Sequence, residues 1–154
     1  MTTAWDEFQE LVKAEMRKVY SEIVVDHAMN PRNVGNMENA DGFASITGPC
    51  GDTMEIWLKV RNGSIVEASF MTDGCSTTIA AGSMVTELAK GKNVTQALKI
   101  GQQDVLSALG GLPEESQHCA LRMNRGREPT RDSEWRLIRG GFSYLWAGAL
   151  VATW

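Results

Sequence analysis

Three cysteines stand in three separate settings: Cys50 inside Gly48-Pro49-Cys50-Gly51-Asp52, Cys75 inside Asp73-Gly74-Cys75-Ser76-Thr77, and Cys119 directly after His118. Three thiols with a neighbouring carboxylate and imidazole make a complete set of ligands for a soft metal. The cysteines are far apart and form no Cys-x-x-Cys pair, so any shared site must be assembled by the fold. Cys50 has glycines on either side of its Pro49-Cys50 pair, which let backbone approach a bound atom, and Asp52 offers a hard oxygen beside the soft sulfur. Cys75 follows the end of an expected strand and opens a helix, where unpaired N–H groups and the helix dipole favour thiolate over thiol. His118 and Cys119 supply a nitrogen and a sulfur that can exchange places in one coordination sphere.

Taken singly, a cysteine is more often a small core hydrophobe than a ligand. All three here fall at loops or element junctions and none lies in a periodic apolar stripe, which turns the reading towards a site. A Cys–His hydrolase, with Cys75 or Cys50 as nucleophile and His118 as base, would leave a third cysteine superfluous and lacks an oxyanion-hole motif. His27 lies on a helix stripe and reads as packing or capping.

The elements that must position these residues are visible in the periodicity. From Phe8 to about His27 apolar residues recur at three- and four-residue intervals, predicting one amphipathic helix that Pro31 ends. Phe43-Ala44-Ser45-Ile46 reads as a short strand. Met54, Ile56, Leu58 and Val60 alternate with Glu55, Trp57 and Lys59, and Asn62-Gly63 separates them from a second run, 64–71, which predicts a hairpin. Helical patterns return at Ser76 to Lys90, stopped by Gly91, then at Val94 to Ile100 and Gln103 to Leu109. This order predicts an α+β domain with helices covering one face of an antiparallel sheet.

The 154 residues carry a formal charge of −4, which suits one domain of ordinary size and gives no footprint for nucleic acid. No apolar stretch is long enough to span a bilayer, so no membrane partner is expected. The odd cysteine count and the lack of a secretory signal point to a reducing compartment, with the cytoplasm as the expected location. From Arg122 onward the pattern changes. Six of the nine arginines and three of the five tryptophans lie there, glycines and Pro129 interrupt any stripe, and 142–154 is nearly all apolar or small. The domain is therefore expected to cover 1–121, with 122–154 an atypical Arg/Trp-rich tail, non-native or disordered.

Asn30-Pro31-Arg32-Asn33-Val34-Gly35, Cys50-Gly51-Asp52, Phe70 through Gly74-Cys75, the stretch Ile79 to Gly91-Lys92 and the pair His118-Cys119 resemble the IscU/NifU-type iron–sulfur cluster assembly scaffolds, in register from about Tyr20 to Leu121. The resemblance implies a three-stranded antiparallel sheet with helices packed on one face and the cysteines at one tip. It places the family's ligand positions on Cys50, Asp52, Cys75, His118 and Cys119. The implied role is a scaffold with sulfur-acceptor chemistry rather than an enzyme. It takes sulfur from a cysteine desulfurase and iron from an iron donor, builds a transient [2Fe–2S] cluster, and passes it to apo iron–sulfur acceptor proteins.

Such a cluster needs four protein ligands; three cysteines leave the fourth place to Asp52 or His118. Cys119, on a loop beside His118, is the expected first persulfide acceptor. The same ligands form a tetrahedral zinc site, so zinc is an alternative occupant of purified protein. A zinc-dependent persulfide relay without cluster building is the competing reading. Members served by a dedicated Hsp70 chaperone carry Leu-Pro-Pro-Val-Lys before the last cysteine. This chain has Leu112-Pro113-Glu114-Glu115-Ser116, which counts against recognition by that chaperone.

Overall fold

The computed structural model describes residues 2–47, 51–97, 99–114 and 134–137. The sheet is built on the hairpin that Asn62-Gly63 announces. Strand β2 (Thr53–Arg61) and strand β3 (Ser64–Thr72) pair antiparallel with Arg61 opposite Ser64, and both turn residues have positive φ, 51° and 77°. Those angles match the right-handed twist of the flanking strands, and glycine adopts them without steric cost. Strand β1 (Gly42–Thr47) pairs antiparallel with β2, Thr47 opposite Thr53, giving the three expected strands. A short fourth strand, β4 (Glu134–Leu137), comes from the segment set apart in the sequence and pairs antiparallel with β1, Leu137 opposite Gly42. The order across the sheet is β3-β2-β1-β4. No helix among the described residues is long and apolar enough to cross a membrane.

Alternation along β2 buries Met54, Ile56 and Leu58 on one sheet face, joined by Ala44, Ile65, Ala68 and Phe70. Helix α3 (Ser76–Ala89) lies on that face through Ala80, Ala81, Met84 and Val85. Its small residues let it come close. A side chain on Gly82 would put its first carbon 2.4 Å from the Phe70 ring, a separation no packed carbon tolerates. Helices α4 (Val94–Ala97) and α5 (Gln102–Ala108) follow, with Ala97, Val105 and Leu109 completing the core.

The single N-terminal helix predicted over 8–27 is instead two. Helix α1 (Ala4–Met16) and helix α2 (Glu22–Met29) are separated at Arg17–Ser21. The break is set by Ser21, whose hydroxyl accepts the Val24 N–H as the N-cap of α2 and donates to the Leu109 carbonyl beyond α5. The apolar rhythm survives the turn, so periodicity alone could not show it. Only α2 joins the core, through Val24 and Val25; α1 buries none of its residues. Pro31 ends α2 as expected, and His27 is buried against α3, its Nδ1 2.7 Å from the Ser83 hydroxyl. That hydroxyl also accepts the Arg32 N–H at 2.9 Å.

Segment 33–35 closes the outer edge of β3. Asn33, at φ 62°, accepts the Phe70 N–H on its carbonyl, Gly35 donates to the Phe70 carbonyl, and the Asn33 side chain bonds Thr86, Glu87 and Lys90 on and just beyond α3. Asparagine tolerates this left-handed backbone better than most residues.

Gly82→Ala is expected to cost about 1–3 kcal/mol by overpacking, read as a lower urea midpoint. Phe70→Leu in the same chain should recover part of that loss. Burial foremost, with the Arg32 guanidinium, holds His27 below its ordinary value of 6.5, against the pull of Asp26 and Glu87. The unfolded chain therefore binds the proton first. Stability present above about pH 6.5 should fall as pH drops through the lower folded value. Urea midpoints between about pH 7 and pH 5 should show this decline, flattened in His27→Gln.

Candidate functional site

The site forms where β2 begins, β3 ends and α3 starts. Thr53 clasps these elements together. Its N–H donates to the Asp73 carboxylate at 2.6 Å, its carbonyl accepts the Thr72 hydroxyl at 2.7 Å, and its own hydroxyl meets that of Thr47 at 2.9 Å. The Thr72 hydroxyl in turn accepts the Gly74 N–H at 3.1 Å. Residues 72–74 therefore cannot drift from the head of β2, and Asp52, next to Thr53, is carried with them.

Cys75 is the N-cap residue of α3, with extended backbone (φ −74°, ψ 177°), and its side chain is exposed. The sulfur does not close a cap hydrogen bond. It turns instead to two hydroxyls, Thr77 Oγ1 at 2.9 Å and Thr78 Oγ1 at 3.5 Å. Partial burial is the largest single influence on the thiol and pushes its pKa up. The two hydroxyls outweigh it, with help from the peptide N–H groups of the same residues, and the thiol lies below its ordinary value. The N-terminus of a 14-residue helix and the two hydroxyls therefore shift the balance at Cys75 towards thiolate.

Gly74, the residue before Cys75, leaves space for a neighbour. A methyl group there would lie 2.9 Å from Asp52 Oδ2 and 2.7 Å from the Thr78 Cβ. The glycine thus leaves room for the Asp52 carboxylate to lie over the peptide that leads into Cys75. Of the five residues singled out in the sequence, the structure describes two, Cys75 and Asp52, with Asp52 close to Gly74, the residue before Cys75. Cys50, His118 and Cys119 lie outside the described residues, and among the described residues no three of His, Cys, Asp and Glu cluster closely enough to hold a metal ion. Gly74, Thr77, Thr78 and the Thr53–Asp73 clasp are functional neighbours the spacing did not single out. The hydroxyl run Ser76-Thr77-Thr78 after Cys75 is the signal in the sequence that points to them.

A soft sulfur and a hard oxygen are donors that iron and zinc both accept. Residues 19–126 match the NifU-like N terminal domain, and the chain belongs to that family. Among its relatives is the iron-sulfur cluster assembly scaffold protein IscU 1 of Archaeoglobus fulgidus, 50% identical over 103 residues, which span 66% of this chain and 67% of that one. The iron-sulfur cluster assembly scaffold protein IscU of Escherichia coli K12 is 43% identical over 107 residues, 66% of this chain and 83% of that one. The solved N-terminal NifU-like protein of Brucella abortus shares the fold, with a TM-score of 0.50 at 21% identity over 66% of this chain and 72% of that one.

Thr77→Val should raise the Cys75 pKa, because it removes the nearer hydroxyl donor and leaves the burial. Alkylation of Cys75 at about pH 7.5, followed by mass spectrometry of its peptide, should slow several-fold. Thr78→Val should slow it less.

Proposed function

We propose that this protein is a scaffold on which a [2Fe–2S] cluster is assembled and from which it is handed to apo iron–sulfur proteins. The observation that carries this reading is the Cys75 thiol at the start of α3, held below its ordinary pKa by Thr77 and Thr78, with the Asp52 carboxylate close to the preceding Gly74. The names of the family relatives support it. Iron and sulfur are the substrates. A cysteine desulfurase supplies the sulfur, with Cys119 as first persulfide acceptor, and an iron donor supplies the metal. Cys50, Cys75 and Cys119 are the thiolate ligands, and Asp52 or His118 fills the fourth place. Zinc is an alternative occupant of the same donors. The chemistry belongs to a reducing compartment, the cytoplasm, where the three thiols stay free.

The residues described here account for a cluster that is held and then released. Cys75 contributes a thiol whose lowered pKa eases the loss of the proton that metal binding requires. Asp52 contributes a carboxylate oxygen, which binds iron less firmly in a sulfur-rich site than a fourth thiolate would. A site with one weak ligand gives the cluster up to an acceptor offering four thiolates.

Anaerobic incubation with iron, cysteine and a desulfurase is expected to produce visible absorption, with iron and sulfide bound in equal number. Persulfide uptake without iron and sulfide would favour a zinc-dependent relay and reject the scaffold. Asp52→Cys, which supplies the fourth thiolate, should hold a longer-lived cluster and donate it more slowly to an apo acceptor. Transfer at the parent rate or faster would remove Asp52 from the release step.

A further inference from the structure

The two borders of the sheet are covered from different places. Along β3, Gly91 and Lys92 meet Ile65 and segment 33–35 meets Phe70, and all of these lie within the family-matched residues 19–126. Along β1 the cover is β4, whose residues 134–137 lie beyond that match. It pairs with Gly42 to Ser45, so its four residues meet four of the six in β1. A strand this short makes few ladder bonds and belongs to the part of a fold that opens locally.

Without that cover β1 would be an unprotected edge. Natural edges are blunted by charged side chains, by proline or by bulges. The segment Gly42-Phe43-Ala44-Ser45-Ile46-Thr47 has no charged residue and no proline. Its register with β2 runs without a bulge from Gly42 opposite Leu58 to Thr47 opposite Thr53. Phe43, Ile46 and Thr47 also favour extended backbone. Such an edge takes any extended segment that brings no unpaired charge against it. A second β1 meets that condition. Two-fold symmetry sets β1 antiparallel to its own copy, the sense in which it already pairs with β2 and β4, and no like charges come face to face.

We propose that the free border of β1 is an interaction edge for a second copy of this chain and that β4 is its removable guard. With β4 in place that border is closed. When β4 leaves, β1 pairs with the β1 of the second copy and the two sheets join into one of ordinary width.

In the full chain, Trp135→Pro with Arg136→Pro tests this. Successive N–H groups of a strand point to opposite sides, so one of the two prolines removes a donor that faces β1. Hydrogen exchange read by mass spectrometry and sedimentation velocity are followed over about a hundredfold range of protein concentration. In the dilute variant the amides of 42–47 that face β4 should exchange about tenfold faster than in the parent, while Ser76–Ala89 keeps its protection. At the concentrated end the variant should sediment as a dimer and protection at 42–47 should return, a gain the parent does not show. If the proline variant loses protection in Ser76–Ala89, Trp135→Gly with Arg136→Gly, which weakens β4 without barring its hydrogen bonds, is read in its place. Equal exchange at 42–47 in variant and parent, or a variant that stays monomeric throughout, overturns the proposal. Association that protects Ala4–Met16 instead of 42–47 overturns it in favour of the exposed Trp5, Phe8 and Leu11 surface of α1.

Discussion

The ring of Phe70 occupies the space that any side chain on Gly82 would need, and this contact sets how closely α3 can lie on the sheet. The depth of that helix fixes the height of its first turn, and hence of the Cys75 sulfur, above the ends of β2 and β3. The same Phe70 is bonded through its backbone to Asn33 and Gly35, and Asn33 reaches on to Thr86, Glu87 and Lys90. One residue thus couples helix depth, the closed sheet edge and the loop after α2. Where a ring fills the space of an absent side chain, packing leaves little freedom, and a reactive side chain at the start of the same helix inherits that rigidity.

Around Cys75 the local chemistry works in two opposing directions. Partial burial disfavours the thiolate, and hydroxyl donors more than reverse it. A sulfur kept wholly in water would need no such donors but would also lack a fixed direction. Gly74 complements this by leaving space instead of supplying a group, so that Asp52 can stand where a side chain would have been. The site therefore depends as much on an omitted methyl as on any ligand, which is why a list of candidate donors alone describes it incompletely.

Much of the fold was legible in the sequence because the signals were local. Asn62-Gly63 between two alternating runs specified the hairpin and its register, and the change of period at Ser76 specified where α3 begins. The split between α1 and α2 was not legible, because Ser21 is tied to the carbonyl of Leu109, a partner 88 positions away. The apolar stripe over Phe8 and Leu11 announced a helix correctly but said nothing of what the helix packs on. Strand β4 offers only four residues with no alternation long enough to read. At the site, residue types and the family resemblance pointed to Cys75 and Asp52. The approach of Asp52 to Gly74 needed the fold, since it depends on where one strand starts and another stops.

Strand β3 has little free backbone left on its outer side. Near one end Ile65 exchanges hydrogen bonds with Gly91 and Lys92; near the other Phe70 does so with Asn33 and Gly35. Beyond β1 the opposite border is taken by β4. Proteins with unpaired borders recruit visitors, wanted or not, by lengthening the sheet. Along β3 that mode of association is largely closed among the described residues, which leaves to a visiting protein the side chains on loops and helix ends there, the same surface where the sulfur of Cys75 stands in the open.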